Sequence, residues 1–212
     1  MILIGQYDSP FVRRVGIALN LYGMAYEHRP WSTFGDGERI AAYNPLRRVP
    51  TLVLDDGSVL IDSGAILDHL DEVSDASKRL IPGSGLGRRQ ALKVCALATG
   101  LGDKAVSLVY ERVLHQQISQ AWIDRCLSQI QGVLDALEAE RSGRGSAFWF
   151  GDSIGHADIA VACVLRFTSE AHPGLFDSAF WPALWPALAA HAARCEGLAA
   201  FQAVVQVFDP PR

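Results

Sequence analysis

No stretch of this chain approaches a membrane span. The longest apolar run, ADIAVACVL, is interrupted by Asp158, followed by Arg166, and reads as a buried helix. There is no Lys/Arg run, internal repeat or low-complexity tract. Nothing therefore presents a basic face to nucleic acid or to an anionic membrane, and neither is expected as a partner. No cysteine precedes Cys95 and no CxxC occurs, which excludes a thiol nucleophile in the first 94 residues. The four cysteines, Cys95, Cys126, Cys163 and Cys195, fall about one to a helical segment and are expected to be reduced core residues. The six histidines are scattered without paired ligand spacing, so no metal site is expected. GxSxG and nucleotide-phosphate motifs are missing, and GSGLG at 83–87 follows no strand and has the wrong glycine spacing for a dinucleotide fingerprint. The opening MILIGQYDSP has no basic segment and meets Asp8 and Pro10 too early for a signal peptide, so a cytoplasmic address is expected.

What is present suits a globular protein of one or two domains. Of 212 residues, 50% are hydrophobic and 20% charged, enough apolar surface for a packed core and too little charge for disorder. The net charge of -4 is uneven. Residues 1–75 carry 6 Lys/Arg against 11 Asp/Glu, and residues 76–212 carry 13 against 12. Any anionic ligand must then be held by local features. The twin arginines at 13–14 and 47–48 are local exceptions to the acidity.

The apolar pattern divides the chain. ILI at 2–4 reads as a strand, and Phe11, Val12, Val15, Ala18, Leu19 and Tyr22 fall on one helical side ended by Gly23. AYEHRP makes a second strand, and a short helical piece is predicted near 38–42. TLVL and SVLI flank the hairpin pair Asp56 and Gly57. Ile66, Leu67, Leu70 and Val73 predict a helix from Ser63 to about Val73. The order β-α-β then α-β-β-α is that of a thioredoxin-like α/β domain, predicted over 1–75. A Ser/Gly/Pro-rich linker follows over 76–87. From 88 to 212 only helical periods remain, about 88–115, 119–141, 157–171, 184–195 and 197–206, the pattern of an all-α helical bundle.

Three places carry possible chemistry. Ser9 and Pro10 suit the N-cap and first position of a helix; a cap alone would be worth about 1 kcal/mol. The alternative is that the helix N-terminus and the Ser9 hydroxyl together stabilise a bound thiolate, drawing a thiol of ordinary pKa about 8.5 toward neutrality. Val49 and Pro50 precede a strand, where proline is tolerated. Were that bond cis, the Val49 peptide could pair with an extended ligand as a further strand does. Asp62 and Ser63 open the third helix as caps. The amides there also suit a carboxylate, and Asp62 an ammonium group, so the pair fits an α-amino-acid head.

Taken together, SPFVRRV and NPLRRVPTLVLDDGSVLIDSGAIL resemble the glutathione S-transferase superfamily, and GLGDKAVSLVYERVL, AWIDR to ALEAE, and SIGHADIAVA continue the likeness to bacterial members. The resemblance implies glutathione as co-substrate and a homodimer. It makes Ser9 the activating serine, Val49 with the cis Pro50 the partner of the cysteinyl backbone, and Asp62 with Ser63 the γ-glutamyl binders. Arg48 is a looser match for a group near the glycyl carboxylate, a solvated arginine being the other option. For a small hydrophobic electrophile it implies an interdomain cleft, with Tyr7, Phe11 and Tyr110 as candidates. Asp103 falls where relatives place a helix-four acid near the ligand's amino group, against the alternative of a solvated face. Asp158 corresponds to the family's helix-capping aspartate, a folding role, and Gly155 stands where the usual Ser/Thr partner would be, an N-cap that supplies no side-chain acceptor.

Three functions follow from the resemblance. The first is conjugation of glutathione to an electrophile. A glutathione-dependent isomerase or dehalogenase is the second, and a non-catalytic glutathione-binding or interaction protein the third. Serine at position 9 excludes a mixed-disulfide mechanism there.

Overall fold

The structure, a computed structural model, describes residues 1–174 and 181–211; residues 175–180 and 212 of the predicted helical domain lie outside the described residues. The chain starts with β1 (Ile2–Ile4), α1 (Pro10–Tyr22) and β2 (Glu27–Arg29). It continues through α2 (Gly37–Ala41), β3 (Thr51–Val53), β4 (Val59–Ile61) and α3 (Ser63–Val73). The sheet order is β2-β1-β3-β4, with β1 parallel to β2 and the other pairs antiparallel. This is the thioredoxin-like arrangement expected from the pattern. Leu3 lies opposite Leu52 across β1 and β3, and both are fully buried. They join Val12, Val15 and Leu19 of α1 and Ile66 and Leu70 of α3 in one core. Each such buried Leu or Ile contributes about 1.5–3 kcal/mol. Gly57, at φ 86, supplies the turn of the β3–β4 hairpin.

The rest is helical: α4 (Gly85–Leu114), α5 (Gln120–Ser142), α6 (His156–Ala171), α7 (Trp181–Leu184), α8 (Pro186–Glu196) and α9 (Ala199–Gln202). Their core runs from Val94, Ala98 and Leu101 of α4 through Ile130 and Leu134 of α5 to Val161 and Val164 of α6, with Trp149 wholly enclosed. All four cysteines are buried and free. Among the described residues, no helix is long and apolar enough to cross a membrane.

Three boundaries differ from the sequence pattern. α4 begins at Gly85 rather than Arg88, because Gly85 at φ +77 turns the linker into the helix. The segment expected as one helix over 184–195 breaks at Trp185, where Pro186, lacking an N–H, becomes the first residue of α8. The helix expected over 197–206 is a single turn. Arg13 of α1 takes the carbonyls of Val204 (Nε, 2.8 Å) and Phe201 (Nη2, 3.4 Å), and the chain leaves the helix to run back toward β1.

α1 belongs to both halves. Ile17 packs with Ile159, Ala162 and Cys163 of α6 and with Cys195, Phe201 and Val204. Beside them Arg13, 2% exposed, makes a two-pronged pair with Glu196 at 2.6 and 2.7 Å. At the start of α6, Asp158 accepts the Trp149 and Gly155 N–H groups at 2.7 and 2.8 Å. The N-cap is glycine for a steric reason. A Cβ on Gly155 would stand 2.8 Å from the Leu80 carbonyl, which accepts the His156 N–H at 2.8 Å.

Candidate functional site

A cavity of about 960 Å³ opens between the two halves. On one wall stand Ser9, Phe11, Arg48 and Val49; facing them on α4 are Asp103 and Tyr110. Six residues singled out in the sequence are thus brought to one space.

Ser9 caps α1 from an extended backbone (φ -66, ψ 122), and its Oγ accepts the Val12 N–H at 3.4 Å. That bond is long for a cap, and it uses the oxygen as acceptor. The hydroxyl hydrogen remains to be donated into the cavity, where the positive end of α1 also points. Behind Ser9, Gly5 lets two segments meet. At φ +131, a Cβ there would lie 2.6 Å from Val12 and 2.7 Å from Val49. The Val49–Pro50 peptide is cis. Val49 lines the cavity, and Pro50 is buried behind it.

Arg48 is exposed, and its carbonyl is held by Asn44 Nδ2 (2.8 Å) and Thr51 Oγ1 (3.2 Å), which fix the loop ahead of β3. Asp62 holds a backbone rare outside glycine, φ 71 and ψ 128, and its carboxylate accepts the Gly64 N–H at 2.7 Å. Such an outlier costs about 1–3 kcal/mol and recurs at ligand clamps. Ser63 beside it is buried. Neither residue lines the main cavity. Burial pushes the Asp103 carboxyl up, Arg48 and Lys104 pull it back, and the Asp62 charge adds to the rise.

On the opposite side the cavity is aromatic. Tyr110 meets Phe34 edge to face at 5.5 Å, and burial pushes its phenol up. Phe11 reaches α4 because Gly102 has no side chain; a Cβ there would sit 3.2 Å from the Phe11 ring.

Tyr7 departs from expectation. Its ring stacks on His28 at 3.8 Å, its hydroxyl pairs with Tyr26 at 2.8 Å, and it is absent from the cavity wall. The missing Cβ of Gly16 on α1 makes room for it.

Several wall residues were not singled out in the sequence. Trp31, Thr33 and Phe34 come from the polar loop before α2, and Phe208, Asp209 and Pro210 from the returning tail. The Phe208 ring packs on Phe167 at 5.4 Å, and its N–H donates to Glu170 at 3.1 Å. The Asp209 N–H donates to Asp8 at 3.2 Å. Among the described residues, no group of His, Cys, Asp or Glu side chains is arranged to hold a metal ion.

Comparison with known proteins agrees with this architecture. A family model described as the glutathione S-transferase N-terminal domain matches residues 3–78, and one described as the C-terminal domain matches residues 120–194. A glutathione S-transferase of Methylobacterium radiotolerans, solved in complex with glutathione sulfonate, superposes with a TM-score of 0.89 at 27% identity, covering 98% of this chain and 95% of that one. A glutathione transferase family member from Pseudomonas fluorescens Pf-5, with bound glutathione, gives 0.80 at 31% identity over 96% and 97% of the two chains. The Escherichia coli GST-like protein YibF is 28% identical over 167 residues, 79% of this chain and 81% of that protein. The chain belongs to the glutathione S-transferase superfamily.

Proposed function

We propose that this protein is a serine-type glutathione transferase, which binds glutathione, stabilises its thiolate and conjugates it to a small hydrophobic electrophile. The position of Ser9 carries the proposal: a hydroxyl at the N-terminus of α1, with its hydrogen uncommitted, on the same cavity wall as Val49. Glutathione bound in the Pseudomonas fluorescens relative supports the choice of co-substrate.

In this reading the glutathione backbone pairs with Val49 ahead of Pro50, Asp62 and Ser63 take the γ-glutamyl head, and Arg48 faces the glycyl carboxylate. Asp103 adds a second negative charge near the ammonium group. The sulfur then lies at Ser9. The hydroxyl bond, worth about 1.5–3 kcal/mol to a charged acceptor, and the helix field, about 0.3–1 kcal/mol, both favour the thiolate. Each 1.36 kcal/mol lowers the thiol pKa by about one unit from about 8.5. Phe11 and Tyr110 hold the electrophile against that sulfur, so proximity supplies the rest of the rate. Tyr7, stacked on His28 and off the cavity wall, acts through packing. A homodimer in the cytoplasm completes this reading, as membership of the superfamily implies.

The test is the rate of glutathione conjugation to an aryl halide near neutral pH, for wild type and Ser9→Ala. Ser9→Ala is expected to lower the rate about tenfold to a hundredfold while costing at most about 1 kcal/mol of stability. An unchanged rate reduces Ser9 to a cap. Firm glutathione binding with no turnover of any electrophile would favour the binding-protein alternative. Turnover confined to a double-bond isomerisation or a dehalogenation would identify the isomerase or dehalogenase.

A further inference from the structure

The segment after α9 reads VVQVFDP over 204–210, and its burial alternates: Val204, Gln206 and Phe208 face the protein, while Val205 and Val207 are exposed. A period of two is that of an extended chain. The stretch is fixed at both ends. Val204 is fully buried beside the bare face of Gly16, and its carbonyl accepts the Arg13 Nε–H at 2.8 Å. The Phe208 N–H donates to Glu170, and ion pairs from Glu170 through Arg166 to Glu196 lead back to Arg13 on α1. Gln206 is the polar side chain between these two apolar anchors, and a half-buried amide there needs a partner. It finds one in the Tyr7 N–H, 3.0 Å from its Oε1.

That N–H belongs to the turn that delivers Ser9. Gln6 to Ser9 form a β-turn, closed by the Ser9 N–H on the Gln6 carbonyl at 3.2 Å. The N–H of the second residue has no partner inside such a turn, and the cap bond from Val12 to Ser9 is itself long at 3.4 Å. The grip comes from outside. Gln206 holds Tyr7, and the Asp209 N–H holds Asp8 at 3.2 Å, so both central residues of the turn are tied to one extended segment. On the other side the Tyr7 ring stacks on His28 at 3.8 Å.

We propose that Gln206 is a positioning residue for Ser9: it straps the β1–α1 turn and so sets the direction in which the Ser9 hydroxyl meets the bound thiol. This rests on the reading of Ser9 given above. Gln206 is not on the cavity wall, so it acts through the turn rather than on the ligand. A hydrogen bond weakens steeply as its angle closes, and a small rotation of the turn is enough to misdirect the hydroxyl. Val49, Asp62 and Ser63 stand on other segments. The strap therefore bears on thiolate formation and leaves the hold on the tripeptide unchanged.

The test compares Gln206→Met, which keeps the length of the side chain and loses the strong acceptor, with Gln206→Glu, which keeps an acceptor in the same place. The thiol pKa of bound glutathione is read from the ultraviolet absorbance of the thiolate against pH, with kcat and KM for conjugation to an aryl halide and thermal unfolding alongside. Gln206→Met is expected to raise that pKa by about one unit and to lower kcat near neutral pH about threefold to tenfold, with KM for glutathione near wild type. Gln206→Glu is expected to restore most of both. In a Ser9→Ala background Gln206→Met should change neither quantity further, since the two residues act as one unit. An earlier unfolding temperature with an unchanged thiol pKa would assign Gln206 to stability alone and overturn the inference, as would an undiminished effect in the Ser9→Ala background. Equal thiol pKa values for wild type and Ser9→Ala would instead overturn the reading of Ser9.

Discussion

Gly155 offers a test in which two arguments give opposite signs. At the N-cap of α6 a serine would supply the side-chain acceptor that glycine lacks, a gain of a few tenths of a kcal/mol over glycine. It would also reduce the freedom of the unfolded chain, worth about 0.4–1 kcal/mol. Against this, the new Cβ would stand 2.8 Å from the Leu80 carbonyl oxygen. That oxygen cannot retreat freely. It accepts the His156 N–H at 2.8 Å, while the Leu80 N–H donates to Asp71 at 2.8 Å, and Asp71 also accepts the Tyr22 hydroxyl at 2.9 Å. Relieving the clash moves a linker tied to α1, α3 and α6, an overpacking cost of about 1–3 kcal/mol with buried hydrogen bonds weakened besides. The expected net effect of Gly155→Ser is a loss of about 1–2 kcal/mol. Gly155→Ala, with the clash and no acceptor, should be worse by about 1 kcal/mol. Urea denaturation at fixed pH, with thermal unfolding alongside, measures both; for a chain of this size each kcal/mol lowers Tm by roughly 2–4 °C. A Gly155→Ser protein as stable as wild type, or more so, would refute the steric account.

Two further outcomes follow from the geometry. His156, pushed down to about 3 by burial first and then by Arg14 and Arg88, stays neutral in the fold while its unfolded counterpart protonates near 6.5. Stability is therefore lost as pH falls below about 6.5, reaching about 2 kcal/mol at pH 5. Asp158, pushed up to about 6 by burial, works in the opposite direction over part of that range, so the informative quantity is the difference between wild type and His156→Gln. Urea midpoints from pH 7.5 to 5 that run parallel for the two proteins would contradict this. Gly5→Ala should cost about 3 kcal/mol, because the residue needs φ +131 and its Cβ would press on Val12 and Val49. Displacing Val49 should also raise KM for glutathione, and thermal unfolding with steady-state kinetics reads both effects.

How far the sequence alone reveals these features depends on the range over which each is determined. α3 spans Ser63–Val73, as its pattern predicts, because cap, apolar spacing and end are all local. The Asp56–Gly57 hairpin is legible for the same reason. The place of Tyr7 off the cavity wall is not legible in the sequence, because its orientation depends on His28, Tyr26 and the bare face of Gly16, none of which is marked by periodicity. The tail at 207–211 carries no regular pattern, and its place on the cavity wall comes from Phe167, Glu170 and Asp8. Gly155 read as a defect in a cap; only the position of Leu80 shows why a side chain is kept out. Arg13 and Arg14 are indistinguishable as letters, and only burial and partners separate a paid-for charge from an open one.

The sharing of α1 bears on how the cavity can move. Val12, Val15 and Leu19 anchor this helix in the sheet domain, while Ile17 and the Arg13–Glu196 pair anchor it in the helical one. A hinge between the two halves would have to strip a desolvated arginine of its carboxylate and open an apolar seam together, which thermal motion at ordinary temperature seldom does. Ser9 on the sheet side of the cavity and Tyr110 on α4 thus hold a fixed spacing, set by a single rigid rod. Residues 31–35 and the tail at 208–211 complete the cavity wall that this fixed frame leaves open, so substitutions there change the shape of the space without disturbing the spacing.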